Sequence, residues 1–328
     1  MSQVLADRVS ATPNEQPSES ATDGLVGARL VTRRRPARWV AAALALVLAA
    51  MLVNTLITNP RFEWGVVGDY LGSSAILRGL VLTLWLTAAV MVSGYVLGIG
   101  LAALRLSDNA ILRTASFGFV WLVRSVPPLV QLLFWFEIAS LYPRLSFGIP
   151  FGPEFVSFQT AHLFSALAAA YVALTIDAAA FASEIIRGGL LSVDHGQTEA
   201  ASSIGLSRWR TFRRVVLPQA MPSIIPASGN MLIGMLKATS LVSVIAVQDL
   251  LGASELIYND NFKIIPLLLV ATIWYLVLTT LLSIGQFLLE RHFARGKRRG
   301  PTRSLPTVWR DSLSLLPHRR VAKAGGAA

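Results

Sequence analysis

Four charged side chains lie within or beside long apolar stretches of this 328-residue chain: Arg124, Glu137, Asp177 and Lys237. A charge at the centre of a bilayer costs about 2.5–3.5 kcal/mol on insertion scales, so such groups normally face a cavity or a partner. A zwitterionic solute needs an anion for its amino group and donors for its carboxylate. Asp177 has the chemistry for the first task. Arg124 or Lys237 has it for the second, with the Thr239 and Ser240 hydroxyls close by in sequence. Competing roles exist for each. Arg124 falls near the cytoplasmic end of its predicted span, where it can snorkel. Glu137 falls near the outer end, where it can be solvated, and Lys237 can pair with Asp177.

A second polar feature interrupts the apolar pattern. Residues 194–218 read DHGQTEAASSIGLSRWRTFRRVVLP, a basic island between apolar segments. Ala200 and Ala201 lack bulk, so another surface can approach the backbone there, while Glu199, Arg208, Arg210, Arg213 and Arg214 offer charge. Gly205 is placed to end a short helix in the left-handed conformation that glycine adopts cheaply. Leu217 and Pro218 are expected to open the next helix, where the missing N–H of proline costs nothing. Upstream, Glu184 and Arg187 are spaced for an i, i+3 ion pair.

Other chemistries are excluded by composition and pattern. The chain has no cysteine, which rules out thiolate catalysis, disulfides and Cys-based metal sites. His162, His195, His292 and His318 are scattered at no ligand spacing, and no H-E-x-x-H occurs. No G-x-x-x-x-G-K-[ST] loop is present, so the chain is not expected to bind or hydrolyse ATP, and no bound cofactor or metal is expected.

The elements that must position these residues follow from hydropathy. The chain is 54% hydrophobic and 14% charged, with mean hydropathy +0.57; a soluble domain carries about 25% charged residues. An all-α, polytopic membrane bundle of about six spans is expected, because about 20 apolar residues cross a bilayer core. The spans fall near 39–58, 76–104, 116–141, 161–182, 221–247 and 264–289. Residues 1–38 and 291–328 read as disordered basic tails. Residues 105–114 and 142–160 read as loops, and 249–262 as an acidic external loop. Gly94 and Gly98 form a G-x-x-x-G pair suited to close helix packing. Pro127 and Pro128 remove backbone donors and are expected to kink or break the third span. Pro222 and Pro226 make the fifth irregular.

Net charge is +11. Its distribution beside apolar spans marks topology rather than nucleic-acid binding. With both termini in the cytoplasm, only Arg61, Arg78, Arg144 and Lys263 fall outside or at the outer interface, which satisfies the positive-inside rule. The 194–218 loop is then cytoplasmic.

Taken in order, the segments VRSVPPLVQL (123–132), EIIRGG (184–189), E-A-A-x3-G from Glu199 to Gly205, LPQA (217–220) and LKATSLVSVI (236–245) resemble the permease subunits of ABC importers, in the branch that moves polar amino acids. The resemblance covers about residues 75–290. It implies a five-helix type I permease core, preceded here by one extra span. It implies that the 194–218 loop couples to a separate ATPase through Glu199, Ala200, Ala201, Gly205, Leu217 and Pro218. It further implies a second permease subunit, two ATPase subunits, an extracytoplasmic solute-binding protein and an amino acid substrate, in the cell membrane. Two positions depart from the family pattern. R-G-T-P reads Arg124-Ser125-Val126-Pro127, and K-D-T-S-L reads Lys237-Ala238-Thr239-Ser240-Leu241. The alternative reading is an ion-coupled secondary amino acid transporter, suggested by broken helices and intramembrane charges. Such proteins carry inverted repeats, and the 194–218 loop has no counterpart in the first half.

Overall fold

A computed structural model describes residues 36–149 and 154–294. The expectations for the 1–35 and 295–328 tails lie outside the described residues. Residues up to Pro60 and residues from Arg61 onward form two separate bodies. Of the first, the described part is mainly helix α1, Pro36–Thr58, whose stretch Trp39–Thr58 is long and apolar enough to cross a membrane.

The second body is a helix bundle. Its elements are α2 (Trp64–Leu71), α3 (Ser74–Arg105), α4 (Ala110–Ser125), α5 (Pro128–Phe136), α6 (Ile138–Leu141), a hairpin of β1 (Arg144–Gly148) and β2 (Glu154–Gln159), α7 (Thr160–Leu163), α8 (Ala166–Leu191), α9 (His195–Ser203), α10 (Arg208–Thr211), a π-helical turn (Phe212–Val216), α11 (Leu217–Ala238), a 3-10 segment (Thr239–Ile245), α12 (Leu250–Asn261) and α13 (Ile264–Ala294). Among the described residues, five helices including α1 are long and apolar enough to be membrane spans, or six if the bent pair α4–α5 counts as one. The all-α expectation holds except for the hairpin, which lies in the predicted 142–160 loop.

Local chemistry sets where the helices start. Ser73, Asn109, Ser165, Asp194 and Asp249 each accept a hydrogen bond from a first-turn N–H of the helix that follows, satisfying donors that have no intrahelical partner. The principal packing is α3 against α8. A Cβ added at Gly94 would lie 2.5 Å from Ala178 Cβ, and one at Gly98 would lie 2.7 Å from Ala182 Cβ. Two small-residue pairs, each four residues apart, thus let the backbones approach. Around this contact lies a core of Leu86, Val90, Leu132, Leu174, Met235 and Val242. A second core, around Val67, Ile76, Leu236, Leu250 and Val270, joins α2, α3, α11, α12 and α13.

The break expected at Pro127 and Pro128 is present and divides the third span into α4 and α5, bent by 99°. Its first half, however, starts at Ala110 rather than near 116. Arg124 therefore sits at the break, where it borders one cleft with Arg105 and Glu184. Pro218 stands in the first turn of α11, as expected, but that helix does not start afresh: it follows directly on the π turn within a helical run from Arg208 to Ile245. There the Leu217 N–H reaches the Phe212 carbonyl, five residues back. The widened turn accommodates a residue that lacks an N–H and whose ring would crowd the carbonyl four residues before it. Residues 249–262 are not an external loop but mostly helix α12. Arg105 is the last residue of α3 and not a loop residue.

Candidate functional site

The basic island folds into a compact knuckle. Asp194 Oδ1 accepts from Gly196 N–H at 2.7 Å and starts α9. At the other end the Gly205 N–H donates to Ser202 O at 3.0 Å and the Leu206 N–H to Ala201 O at 3.1 Å. Gly205 has φ of 79°. This pair of bonds is a Schellman ending, and the left-handed residue it requires is why glycine stands there. Ala201 is buried against this chain's own structure, so its small size serves internal packing rather than the approach of another surface. Glu199, Ala200 and Gly205 are exposed. Ile204 is 78% exposed and Trp209 67% exposed, the latter stacked on Phe212. The outward face is thus apolar and small at its centre, with arginines beside it. Gln219 on α11 donates to Gln197 Oε1 at 3.2 Å, and Ser192 and Ser223 hydroxyls lie 3.2 Å apart. The first contact ties the knuckle to α11, and the second ties the end of α8 to α11, the two long helices the knuckle joins.

One step into the bundle lies an ion triad. Glu184 on α8 meets Arg105 from the end of α3 and Arg187 one turn on, the latter at 3.0 Å. The i, i+3 pair read from sequence is present, and Arg105 joins it from a second helix. Arg105 also sits 5.4 Å from the centre of the Phe117 ring. A cleft bordered by Arg105, Trp121, Arg124, Phe181 and Glu184 opens beside the triad.

Further along α8 is the helix break. Pro127 and Pro128 supply no N–H, which leaves carbonyls of α4 without partners. Gln131, itself buried, turns back and donates from Nε2 to Val123 O at 2.8 Å and Val126 O at 2.9 Å. A side chain thus supplies donors that the two prolines removed, as irregular backbone inside a membrane requires. Asp177 is 7% exposed, with Gln131 as a polar neighbour and Arg124 as a charged one. Arg124 is exposed and stands 4.9 Å over the Phe181 ring. Asp177 and Arg124, proposed from sequence as a complementary pair, are therefore brought to one region.

Lys237 is not. It is exposed on the last turn of α11. Among the described residues, no ion pair joins it to Asp177, against the sequence expectation. Thr239 is fully buried and its hydroxyl donates to Leu236 O at 2.7 Å; Ser240 donates to Lys237 O at 2.7 Å. Both hydroxyls serve the transition from α-helix to 3-10 segment. Glu137 is exposed and accepts from Ser140 at 2.9 Å, in keeping with a solvated position.

Sequence reading missed one buried polar centre. Asp249 is fully buried. Its Oδ1 accepts from Gly252 N–H at 2.9 Å, and its Oδ2 accepts from the Tyr275 hydroxyl at 3.1 Å and from Thr83 at 3.5 Å. Thr83 Oγ1 in turn accepts from Leu250 N–H at 3.0 Å. One carboxylate thereby locks α12 to α3 and α13. The available signal was an aspartate directly before the apolar run LLGASEL, a helix-start pattern.

Comparison with known proteins decides the family. Residues 94–295 match the model of the binding-protein-dependent transport system inner membrane component. The chain belongs to this family. It is 37% identical over 286 residues to the arginine transport system permease protein ArgU of Corynebacterium glutamicum, covering 87% of this chain and 89% of that protein. It is 34% identical over 210 residues to the nopaline transport system permease protein NocM of Agrobacterium fabrum, covering 63% and 83%. Among solved structures, an amino acid ABC transporter described with histidines matches with TM-score 0.56 and 32% identity, over 66% of this chain and 94% of that one. The methionine transporter MetNI in an inward-facing form, at 20% identity and TM-score 0.53, shares the fold. The chain is thus a multi-pass cell-membrane permease subunit of an ABC importer. It is not an enzyme, and ATP hydrolysis belongs to a partner ATPase. These relatives leave the ion-coupled alternative without support.

Proposed function

We propose that this chain moves a polar amino acid across the cell membrane, and that α9 is the element through which a separate ATPase drives it. The carrying observation is the knuckle: an exposed helix with Glu199, Ala200 and Ile204 outward, pinned by the buried Ala201 and the Gly205 ending, and attached directly to α8 and α11. A displacement of α9 by a docked ATPase passes into both helices. Leu217 and Pro218 act here as part of the helix that receives the motion, with the π turn before them as its compliant point.

Arginine or a related cationic or zwitterionic amino acid is the proposed cargo, in line with the named substrate of ArgU. At the helix break, Asp177 offers an anion for an amino or guanidinium group, and Arg124 a bidentate donor for the α-carboxylate. Lys237, exposed on the last turn of α11, lies further along the proposed path, with Thr239 and Ser240 supporting the helix end beside it. The assembly contains a second permease subunit, two ATPase subunits and an extracytoplasmic binding protein, with the termini and the knuckle in the cytoplasm. The test is uptake in cells carrying Glu199→Lys or Gly205→Pro. Transport is expected to be lost while membrane insertion and abundance stay at wild-type level. Full uptake by either variant contradicts the role given to α9.

A further inference from the structure

The segment joining the broken span to α8 is an amphipathic β-hairpin. Strands β1 and β2 are antiparallel, pairing Arg144 with Gln159, Leu145 with Phe158, Ser146 with Ser157 and Phe147 with Val156. Successive strand residues face opposite sides. One side therefore carries Arg144, Ser146, Ser157 and Gln159, and the other carries Leu145, Val156 and Phe158. Val156 is 48% exposed and Phe158 43%, and Phe155, at the irregularity in the ladder, is 68% exposed. Leu141 and Tyr142, leading into the hairpin, are also exposed. On this side Val156 and Phe158 are not covered by the chain's own described residues, and Leu145 is half-buried. Contiguous exposed apolar surface of this kind marks an interaction site.

The base of the hairpin is fixed. The buried Thr160 donates its hydroxyl to Tyr142 O and its N–H to Pro143 O. Close by, Trp135 and Phe164 stack with ring centres 6.1 Å apart. The hairpin is therefore clamped between the ends of the bent pair α4–α5 and α8, both candidate spans, at the end of α8 opposite the knuckle. A short strand pair tethered this closely to two spans lies at the membrane boundary, where aromatic rings collect. Its polar side, with Arg144, suits headgroups and water, and its other side suits acyl chains.

We propose that this hairpin is an interfacial anchor, lying on the membrane with Val156 and Phe158 in lipid and Ser157 and Arg144 towards water. The occupant of its apolar face is the lipid surface. In this position the hairpin holds the outer end of the helix break against the bilayer while the knuckle end moves. The inference rests on membrane embedding alone, so its failure would leave the transport reading intact.

The chain contains no cysteine, so single cysteines report unambiguously. Val156→Cys, Ser157→Cys and Phe158→Cys permeases, each labelled with an environment-sensitive fluorophore, are assembled with their ATPase in nanodiscs containing lipids with spin-labelled acyl chains. Insertion of an amphipathic face to about 5–10 Å depth predicts quenching about twofold or more stronger at 156 and 158 than at 157, with aqueous iodide showing the opposite order. Equal quenching at the three sites overturns the proposal. So does protection of 156 and 158 from both quenchers, with disulfide capture between two permease copies, because the face would then be a protein interface.

Discussion

Replacing Gln131 by methionine isolates the repair of the broken span. The shapes are similar, so packing around this buried position is largely kept, but both hydrogen bonds are lost. Val126 O then has no donor. Val123 O retains only the long contact from Val126 N at 3.4 Å. A buried acceptor left unsatisfied costs about 1–3 kcal/mol; Val126 O is only part-buried and Val123 O keeps one long contact, so the two losses together amount to about 1–3 kcal/mol. At 1.4 kcal/mol per tenfold, that shifts the folded population by a factor of about 5 to 150. The assay is thermal or denaturant unfolding of the purified permease–ATPase complex, compared with Leu132→Met, a volume-conserving change at the adjacent buried position. Gln131→Met is expected to be much less stable than Leu132→Met, and to transport poorly because Asp177 loses its neighbour. Equal stability of the two variants would refute the claim that a side chain closes the gap left by Pro127 and Pro128.

Two further outcomes follow from the packing. Gly94→Leu places a side chain where a Cβ alone already lies 2.5 Å from Ala178 Cβ. It is expected to cost about 1–3 kcal/mol by prising α3 from α8, whereas Gly100→Leu, with open space around it, is expected to be neutral; the melting temperatures of the two variants test this. Glu184→Gln leaves Arg105 without its counter-charge. Arg105 is only 10% exposed but Glu184 and Arg187 are 21% and 31% exposed, so the loss is expected at about 1–3 kcal/mol, below that for a fully buried pair. Glu137→Gln, at a solvated position, is expected to leave stability unchanged in the same measurement.

Local rules carried much of the reading. The span lengths, the helix break at Pro127 and Pro128, the close approach at Gly94 and Gly98, and the ending at Gly205 each follow from one or two residue types with strong conformational consequences. What escaped was non-local. Arg105 looked like a loop cation because its partner, Glu184, is on another helix. Asp249 looked solvated because an acidic residue among Glu255 and Asp260 reads as loop, and its burial depends on Thr83 and Tyr275 arriving from distant elements. Ala201 and Ala200 are indistinguishable in sequence, yet the turn of α9 buries one and exposes the other. The first-turn position of Pro218 was legible, but the π turn that joins its helix to the residues before it has no simple sequence signature.

The central claim is that an external nucleotide engine drives this bundle through α9. Its most direct test is arginine uptake into proteoliposomes holding the permease, its ATPase and the binding protein. Uptake is expected only when ATP reaches the ATPase, and is expected to vanish with Glu199→Lys. Uptake driven by a proton or sodium gradient without ATP would contradict the account.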